Sequence, residues 1–209
     1  MKLNLKALTI LTLGLWVTQS ANATVLTFDD LTPLTASPST IANSYGGLNW
    51  TDMGYLNSSH YSGGTSGYVG GTVFGDYVAF NEFARVATVS DGLFDFNSAY
   101  LASAWNDNLS VTVQGFLGGT ELYNVTVNNL QYSQTQGATA TLVNFDFLGI
   151  DSLVFTSFGG TDADANDGGG GTHFVMDNFT FNATVPEPAT LALLSLGLFG
   201  IGAARRFRK

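Results

Sequence analysis

Fifteen of the chain's sixteen carboxylates fall between residues 24 and 185, where Arg85 is the only lysine or arginine, so any chemistry in this stretch is carboxylate chemistry. One basic residue against fifteen acidic ones is a formal charge of −14, which repels nucleic acid and anionic headgroups and attracts divalent cations. No nucleic-acid partner is expected. The sharpest candidate lies near the end of the stretch. In residues 173–181, strict alternation places Val175, Asp177, Phe179 and Phe181 on one face, so a carboxylate shares a face with large apolar groups. A buried carboxylate needs a partner, and with one cation available Ca²⁺ is the natural one, a hard ion that takes six to eight oxygens. Asp29 and Asp30, at the end of the first expected strand, become co-ligands if the terminal strands are neighbours. The competing reading makes Asp177 a strand-end carboxylate held by water or backbone amides. A second candidate for Ca²⁺ is Asp162, Asp164 and Asn166, whose alternating oxygen donors resemble the start of an EF-hand loop. That motif wants Gly where Asp167 stands and Glu where His173 stands.

Aromatic residues and glycines interleave over residues 50–75. Ring faces on a loop suit the C–H faces of pyranoses, with Asn, Asp and Ser nearby for hydroxyls, so Tyr55, Tyr61 and Tyr68 are candidate glycan contacts. Trp50 and Trp105 read instead as packing groups. Nucleophilic, zinc and phosphoryl chemistry lack their parts: residues 24–185 have no cysteine, no lysine, two histidines (His60 and His173) and no Gly-x-Ser-x-Gly, His-Glu-x-x-His or phosphate loop. The remaining enzymatic option is a glycosidase carboxylate pair across a groove, using Glu82 or Glu121, and catalysis is not expected.

The elements that position these groups read as strands. No helix-period stripe longer than about two turns appears in residues 24–185, whereas short alternating runs recur between Gly-rich turns. Expected strands are 25–28, 47–51, 77–80, 85–89, 93–96, 99–105, 109–116, 121–127, 139–147, 152–158 and 173–182. Leu109, Val111 and Val113 alternate with polar neighbours, as do Tyr123, Val125 and Val127, and Gly118-Gly119 between them supplies the positive φ of a tight hairpin. Many short strands in one 162-residue stretch argue for an all-β, antiparallel two-sheet sandwich of jelly-roll type. With no cysteine, burial must stabilise it, aided by any bound metal.

The two ends carry addresses. Lys2 and Lys6, an apolar run over 7–17 and Ala21-Asn22-Ala23 form a signal peptide over 1–23, implying signal peptidase and a mature start at Thr24. At the other end, Pro186, Glu187 and Pro188 precede sixteen uncharged residues and then Arg205, Arg206, Arg208 and Lys209. As a helix those sixteen residues reach roughly 24 Å, a marginal span of a hydrocarbon core of about 30 Å, and the basic end stays cytoplasmic. This order resembles the PEP-CTERM sorting signal of Gram-negative bacteria, in which Pro-Glu-Pro, one transmembrane helix and an arginine-rich end are read and cleaved by the membrane protease exosortase. The division is then 1–23 signal peptide, 24–185 β-sandwich, and 186–209 sorting signal. The alternative for the tail is an ordinary anchor with a proline hinge.

The central stretch also resembles, loosely and over most of its length, a group of proteins that commonly carry this signal. The resemblance rests on Thr27-Phe28-Asp29-Asp30-Leu31, Tyr45-Gly46-Gly47-Leu48-Asn49-Trp50, the stretch from Ala104-Trp105-Asn106-Asp107 to Tyr123, and His173-Phe174-Val175-Met176-Asp177-Asn178. The Phe-Asp-Asp opening and Asp-Asn close are similar to galactose-binding-like jelly rolls and related carbohydrate-binding modules. That similarity implies paired terminal strands and often a structural calcium ion. Together these readings lead to an exported protein, transiently anchored in the inner membrane and destined for the cell surface or secretion. Its expected role is non-catalytic, binding extracellular polysaccharide with a calcium-stabilised sandwich; the alternatives are a purely structural matrix or adhesive protein, or a carbohydrate-active enzyme.

Overall fold

The structure is a computed structural model, described here over residues 23–31, 37–61 and 65–182. The signal peptide and the Pro186, Glu187, Pro188 motif with its apolar segment lie outside the described residues.

Among the described residues ten strands form one all-antiparallel sheet: β1 (Thr24–Leu26), β2 (Ser39–Thr40), β3 (Asn49–Thr51), β4 (Met53–Asn57), β5 (Tyr77–Asn81), β6 (Ala87–Ser103), β7 (Asn106–Leu117), β8 (Thr120–Leu130), β9 (Thr141–Asp162) and β10 (Phe174–Phe181). Their order is β2-β4-β5-β10-β6-β9-β7-β8, with β1 beside β10 and β3 beside β6. The terminal strands do pair, Thr24 opposite Phe181 and Leu26 opposite Phe179.

The hairpin forms where its alternation places it, but only β7 buries its whole apolar row, since on β8 Tyr123 and Val127 are half-buried and Val125 is exposed. Leu109, Val111 and Val113 enter the core while Ser110 and Thr112 stay partly wet, and Gly118 and Gly119 turn the chain at φ of 56° and 79°. Elsewhere the expected strands fuse. Segments 85–89, 93–96 and 99–105 become most of β6, and 139–147 with 152–158 become β9. Where turns were expected, the β6 to β9 ladder instead shifts register between Ser90 and Ser98. Bulges add residues and bend a strand without ending it. Through this bend β6 and β9 run from one layer into the other. Phe155 of β9 packs on Phe174 of β10 at 5.7 Å between ring centroids, although these strands are not neighbours in the sheet. The main core between the layers is phenylalanine-rich: Phe96 stacks on Phe145 and on Phe179, each at 4.7 Å.

A second apolar cluster lies on the opposite face of β4, β5, β10 and the end of β6. In β5, Tyr77 and Ala79 face the main core while Val78 and Phe80 face the second cluster, so this part of the sheet is buried on both faces. The cover is the segment after β4, which runs through two short 3-10 turns (Ser58–His60 and Val69–Gly71). It is pinned by Gly67 N–H donating to Ala104 O (2.7 Å), an approach only glycine permits, since a Cβ there would sit 2.3 Å from Ser103 O.

The alternation expected for the closing strand breaks at Asn178. That residue has φ of 50°, and the ladder slips between the pairs Asp177 with Tyr100 and Thr180 with Ser98. Phe174, Met176, Phe179 and Phe181 therefore face the main core, while Val175 lies in the second cluster. Asp177, at the parity of Val175, points away from the phenylalanine row with which strict alternation had grouped it, because a bulge inverts the side-chain parity beyond it.

Candidate functional site

The second cluster ends in a cavity of about 520 Å³. Its wall is aromatic. Tyr61 and Tyr68 come from the covering segment, Phe80 from β5, and Trp105 from the turn after β6. Tyr68 is the hub, meeting Tyr61 at 5.1 Å, Phe80 at 5.4 Å and Trp105 at 5.7 Å, all edge-to-face, the arrangement the ring quadrupole favours. On another side the glycine run after β9 closes over Trp105, and at Gly169 the backbone comes so near that a Cβ would stand 2.1 Å from the indole.

The polar groups of the lining are Thr40, Glu82 and His173. Thr40 Oγ1 donates to Glu82 Oε1 (2.7 Å), which holds the carboxylate from β2, and the Glu82 backbone N–H donates to Asp52 O (2.9 Å), which ties its backbone to the β3 to β4 corner. Burial pushes the His173 imidazole below its ordinary range, against a hydrogen bond to the Gly170 backbone, and its Nδ1 is buried without a hydrogen-bond partner. The ring is thus neutral at pH 7. Burial likewise pushes the Tyr61 and Tyr68 hydroxyls up, so both remain protonated.

The rim carries a strained residue. Phe83 is 75% exposed and has φ of 55°, and Ala84 follows at 54°. A bulky residue in the left-handed region is costly and persists only where its surroundings enforce it. The Arg85 guanidinium lies 4.8 Å from the Phe83 ring centroid and 3.2 Å from Asp52 Oδ1, fixing the turn that presents this ring to solvent.

Of the three tyrosines expected to contact glycan, Tyr61 and Tyr68 line the cavity, whereas Tyr55 belongs to the main core and packs on Tyr77 at 6.3 Å. Parity explains the difference. Residues 53–57 are strand β4, where Tyr55 and Met53 point inward; the Gly-rich sequence around them had suggested a loop. Trp50 is core, its Nε1–H donating to Tyr45 O (3.0 Å). Trp105 packs too, but beside the cavity. Sequence reasoning passed over Phe80 and Phe83, and considered Glu82 only as half of a catalytic pair. Nothing local marks Phe-Asn-Glu-Phe at 80–83 as a site; it becomes one through its position between β5 and the strained turn.

The aspartates expected to hold calcium are in part brought together. Asp177 is fully buried; Oδ2 accepts from Val73 N–H (2.7 Å) and Phe74 N–H (3.0 Å), and Oδ1 from Asn178 N–H (2.6 Å). Burial pushes its carboxyl up to about 6, opposed by these three amides and reinforced by the charge of Asp29. Asp29 Oδ1 accepts from Asp76 and Tyr77 N–H (2.9 and 3.1 Å), so both carboxylates clasp the segment entering β5. Asp30 is engaged elsewhere, accepting from Tyr45 Oη (2.7 Å). At the second location, Asp162 Oδ1 accepts from Asp164 N–H and Asp164 Oδ1 from Asn166 N–H, local turns of the loop's own backbone. Among the described residues no three or more His, Cys, Asp or Glu side chains gather as a metal site, so neither expected ligand set forms as a carboxylate cluster.

No curated protein matches the sequence. The chain is similar in structure to a DUF4465 family protein from Bacteroides caccae, at 13% identity over 78% of this chain and 100% of that one, with a TM-score of 0.48. It is also similar to a DUF4465 family protein from Bacteroides ovatus (10% identity, 77% and 93% covered, TM-score 0.42) and to TmCBM61, solved in complex with beta-1,4-galactotriose (9% identity, 66% and 88% covered, TM-score 0.36). At the C-terminus the similarity is one of motif: residues 184–209, from just before Pro186-Glu187-Pro188 to the basic end, carry the PEP-CTERM protein-sorting motif.

Proposed function

We propose that the protein is exported, sorted by exosortase to the cell surface or extracellular matrix, and binds glycan there without catalysis, using the aromatic cavity beside β5. The observation that carries this reading is the cavity itself. Tyr61, Tyr68, Phe80, Phe83 and Trp105 offer ring faces and edges, and Thr40 and Glu82 offer hydroxyl partners, which is how a pyranose with apolar faces and a polar equator is held. The volume suits one or two sugar rings. Among the described residues Glu82 is the one carboxylate of the lining, with Asp167 outside it but near enough for its charge to act on Tyr61; glycosidases need two acids facing one groove, about 5–9.5 Å apart, so the lining favours binding over hydrolysis. On a glycan microarray the exported protein should retain polysaccharide ligands, and Tyr61→Ala should weaken them roughly two- to tenfold, since a lost stacking ring is worth about 0.5–1.5 kcal/mol. Unchanged binding by Tyr61→Ala would move the ligand elsewhere or remove it.

Sorting has its own test. Mass spectrometry of the secreted protein should place the C-terminus near Pro186-Glu187-Pro188, with no peptide from Leu191 onward; an intact tail on exported protein would rule out exosortase processing.

Calcium belongs to this proposal as a structural ion at the Asp29 and Asp177 clasp. The support is that Asp29 Oδ2 and Asn178 Oδ1 are buried acceptors without hydrogen-bond partners, next in chain or in charge to the wholly buried Asp177. Two carboxylates, Asn178 and backbone carbonyls would have to complete the shell.

A further inference from the structure

The charge around the cavity points to a narrower ligand class, an inference that rests on the glycan reading above. We propose that the occupant carries a positive charge: an amino sugar with a free, protonated amine, in preference to a neutral, N-acetylated or uronate residue.

Three observations converge on this. First, the lining combines five aromatic rings with a single carboxylate, Glu82. A cation is attracted by the negative faces of Trp, Tyr and Phe rings, and more strongly where water is thinned out, so aromatic walls closed by one acid form a receptor for ammonium groups. Second, the one lysine or arginine between residues 24 and 185 is already paired. The Arg85 guanidinium is held by Asp52 and lies over the Phe83 ring at the rim, so that ring is taken, while Tyr61, Tyr68, Phe80 and Trp105 carry no cation. His173 is kept neutral by burial. A uronate would therefore face Glu82 with no unpaired cation in the lining to meet it, and in a desolvated pocket that is costly. Third, the long-range field has the same sign, since fifteen acids against one base draw cations toward the protein and hold polyanions off.

Glu82 is placed for the role. Thr40 holds only Oε1, and Glu82→Gln preserves that acceptor while removing the charge, so the substitution tests electrostatics and not folding.

The experiment is titration calorimetry of the purified protein with three tetrasaccharides of matched length: β-1,4-glucosamine, β-1,4-N-acetylglucosamine and α-1,4-galacturonate, at a pH where the amine is protonated. Tetramethylammonium chloride, followed by intrinsic fluorescence, serves as a saccharide-free probe. The glucosamine oligomer should bind at least tenfold more tightly than the acetylated one, galacturonate should be weakest, and the preference should shrink with added salt. Glu82→Gln should abolish the preference with an unchanged melting temperature. Equal affinity for the acetylated oligomer, or a preference that survives in Glu82→Gln, overturns the charge assignment and leaves glycan binding standing. If no saccharide binds but tetramethylammonium quenches the wild type and not Glu82→Gln, the glycan reading fails and the cation site remains. If neither binds, both fall.

Discussion

Phe96→Ala should lower the unfolding free energy by about 3–5 kcal/mol, the range for deleting a buried phenylalanine from a packed core. Phe96 is 0% exposed and sits where the two layers meet. Its ring is stacked between Phe145 and Phe179 and meets the edges of Phe147 and Phe155 at 6.3 and 6.2 Å. It also lies in the bend of β6, within the shifted register, so neighbours cannot slide into the gap without moving the ladder. A domain of this size has about 5–15 kcal/mol in total and loses roughly 2–4 °C per kcal/mol, so the melting temperature should fall by roughly 10 °C. Phe83→Ala is the control: the same deletion at a 75% exposed ring should cost under about 1 kcal/mol. Urea melts of the two variants measure both. A loss below about 1 kcal/mol for Phe96→Ala would mean that the layers do not pack as described.

The second large effect is a pH dependence carried by Asp177. Its carboxyl is raised by burial to about 6 in the folded protein, against about 3.9 in an unfolded chain. An acid raised on folding binds its proton more tightly in the native state. Its contribution to stability is therefore full below pH 4 and is lost as pH rises through 6. Two pH units correspond to about 3 kcal/mol. The difference in unfolding free energy between wild type and Asp177→Asn, measured from pH 4 to 7.5, should therefore move against the wild type by about that amount. A flat or opposite difference would show that the three amide bonds outweigh burial. The same titration decides calcium. The ion requires the ionised carboxylate, so millimolar calcium should flatten or invert the wild-type slope and add about 2.7 kcal/mol at a hundred times Kd. If calcium leaves the wild-type profile unchanged, the clasp is held by amides alone.

Together these variants separate what is local in this protein from what is not. The hairpin of β7 and β8 was legible in residues 109–127 because alternation and a Gly-Gly turn are short-range signals, and its ladder forms across that turn, Leu117 opposite Thr120. The all-β class, the charge of −14 and the sorting motif were legible for the same reason: composition and contiguous motifs need no folding to be read. The pairing of the terminal strands came from the resemblance of the Phe-Asp-Asp opening and Asp-Asn close, and not from anything a single strand displays.

Only the tertiary structure decided which way the key side chains point. One bulge at Asn178 inverted the parity of β10 and took Asp177 away from the phenylalanine row, and nothing in residues 173–181 announces it, since a positive φ at Asn is permitted anywhere the ladder demands it. Tyr55 went to the core because residues 53–57 pair with β5 across a long connection, while Tyr61 and Tyr68, a few residues on, turned to the other face of the same sheet. The cavity draws on residues around 40, 61, 68, 80–83, 105 and 169–173, whose proximity exists only after β5, β6 and β10 have hydrogen-bonded side by side. Spacing along the chain carries periodicity and address. Assembling a cavity from distant segments is the work of strand register, which long-range pairing sets.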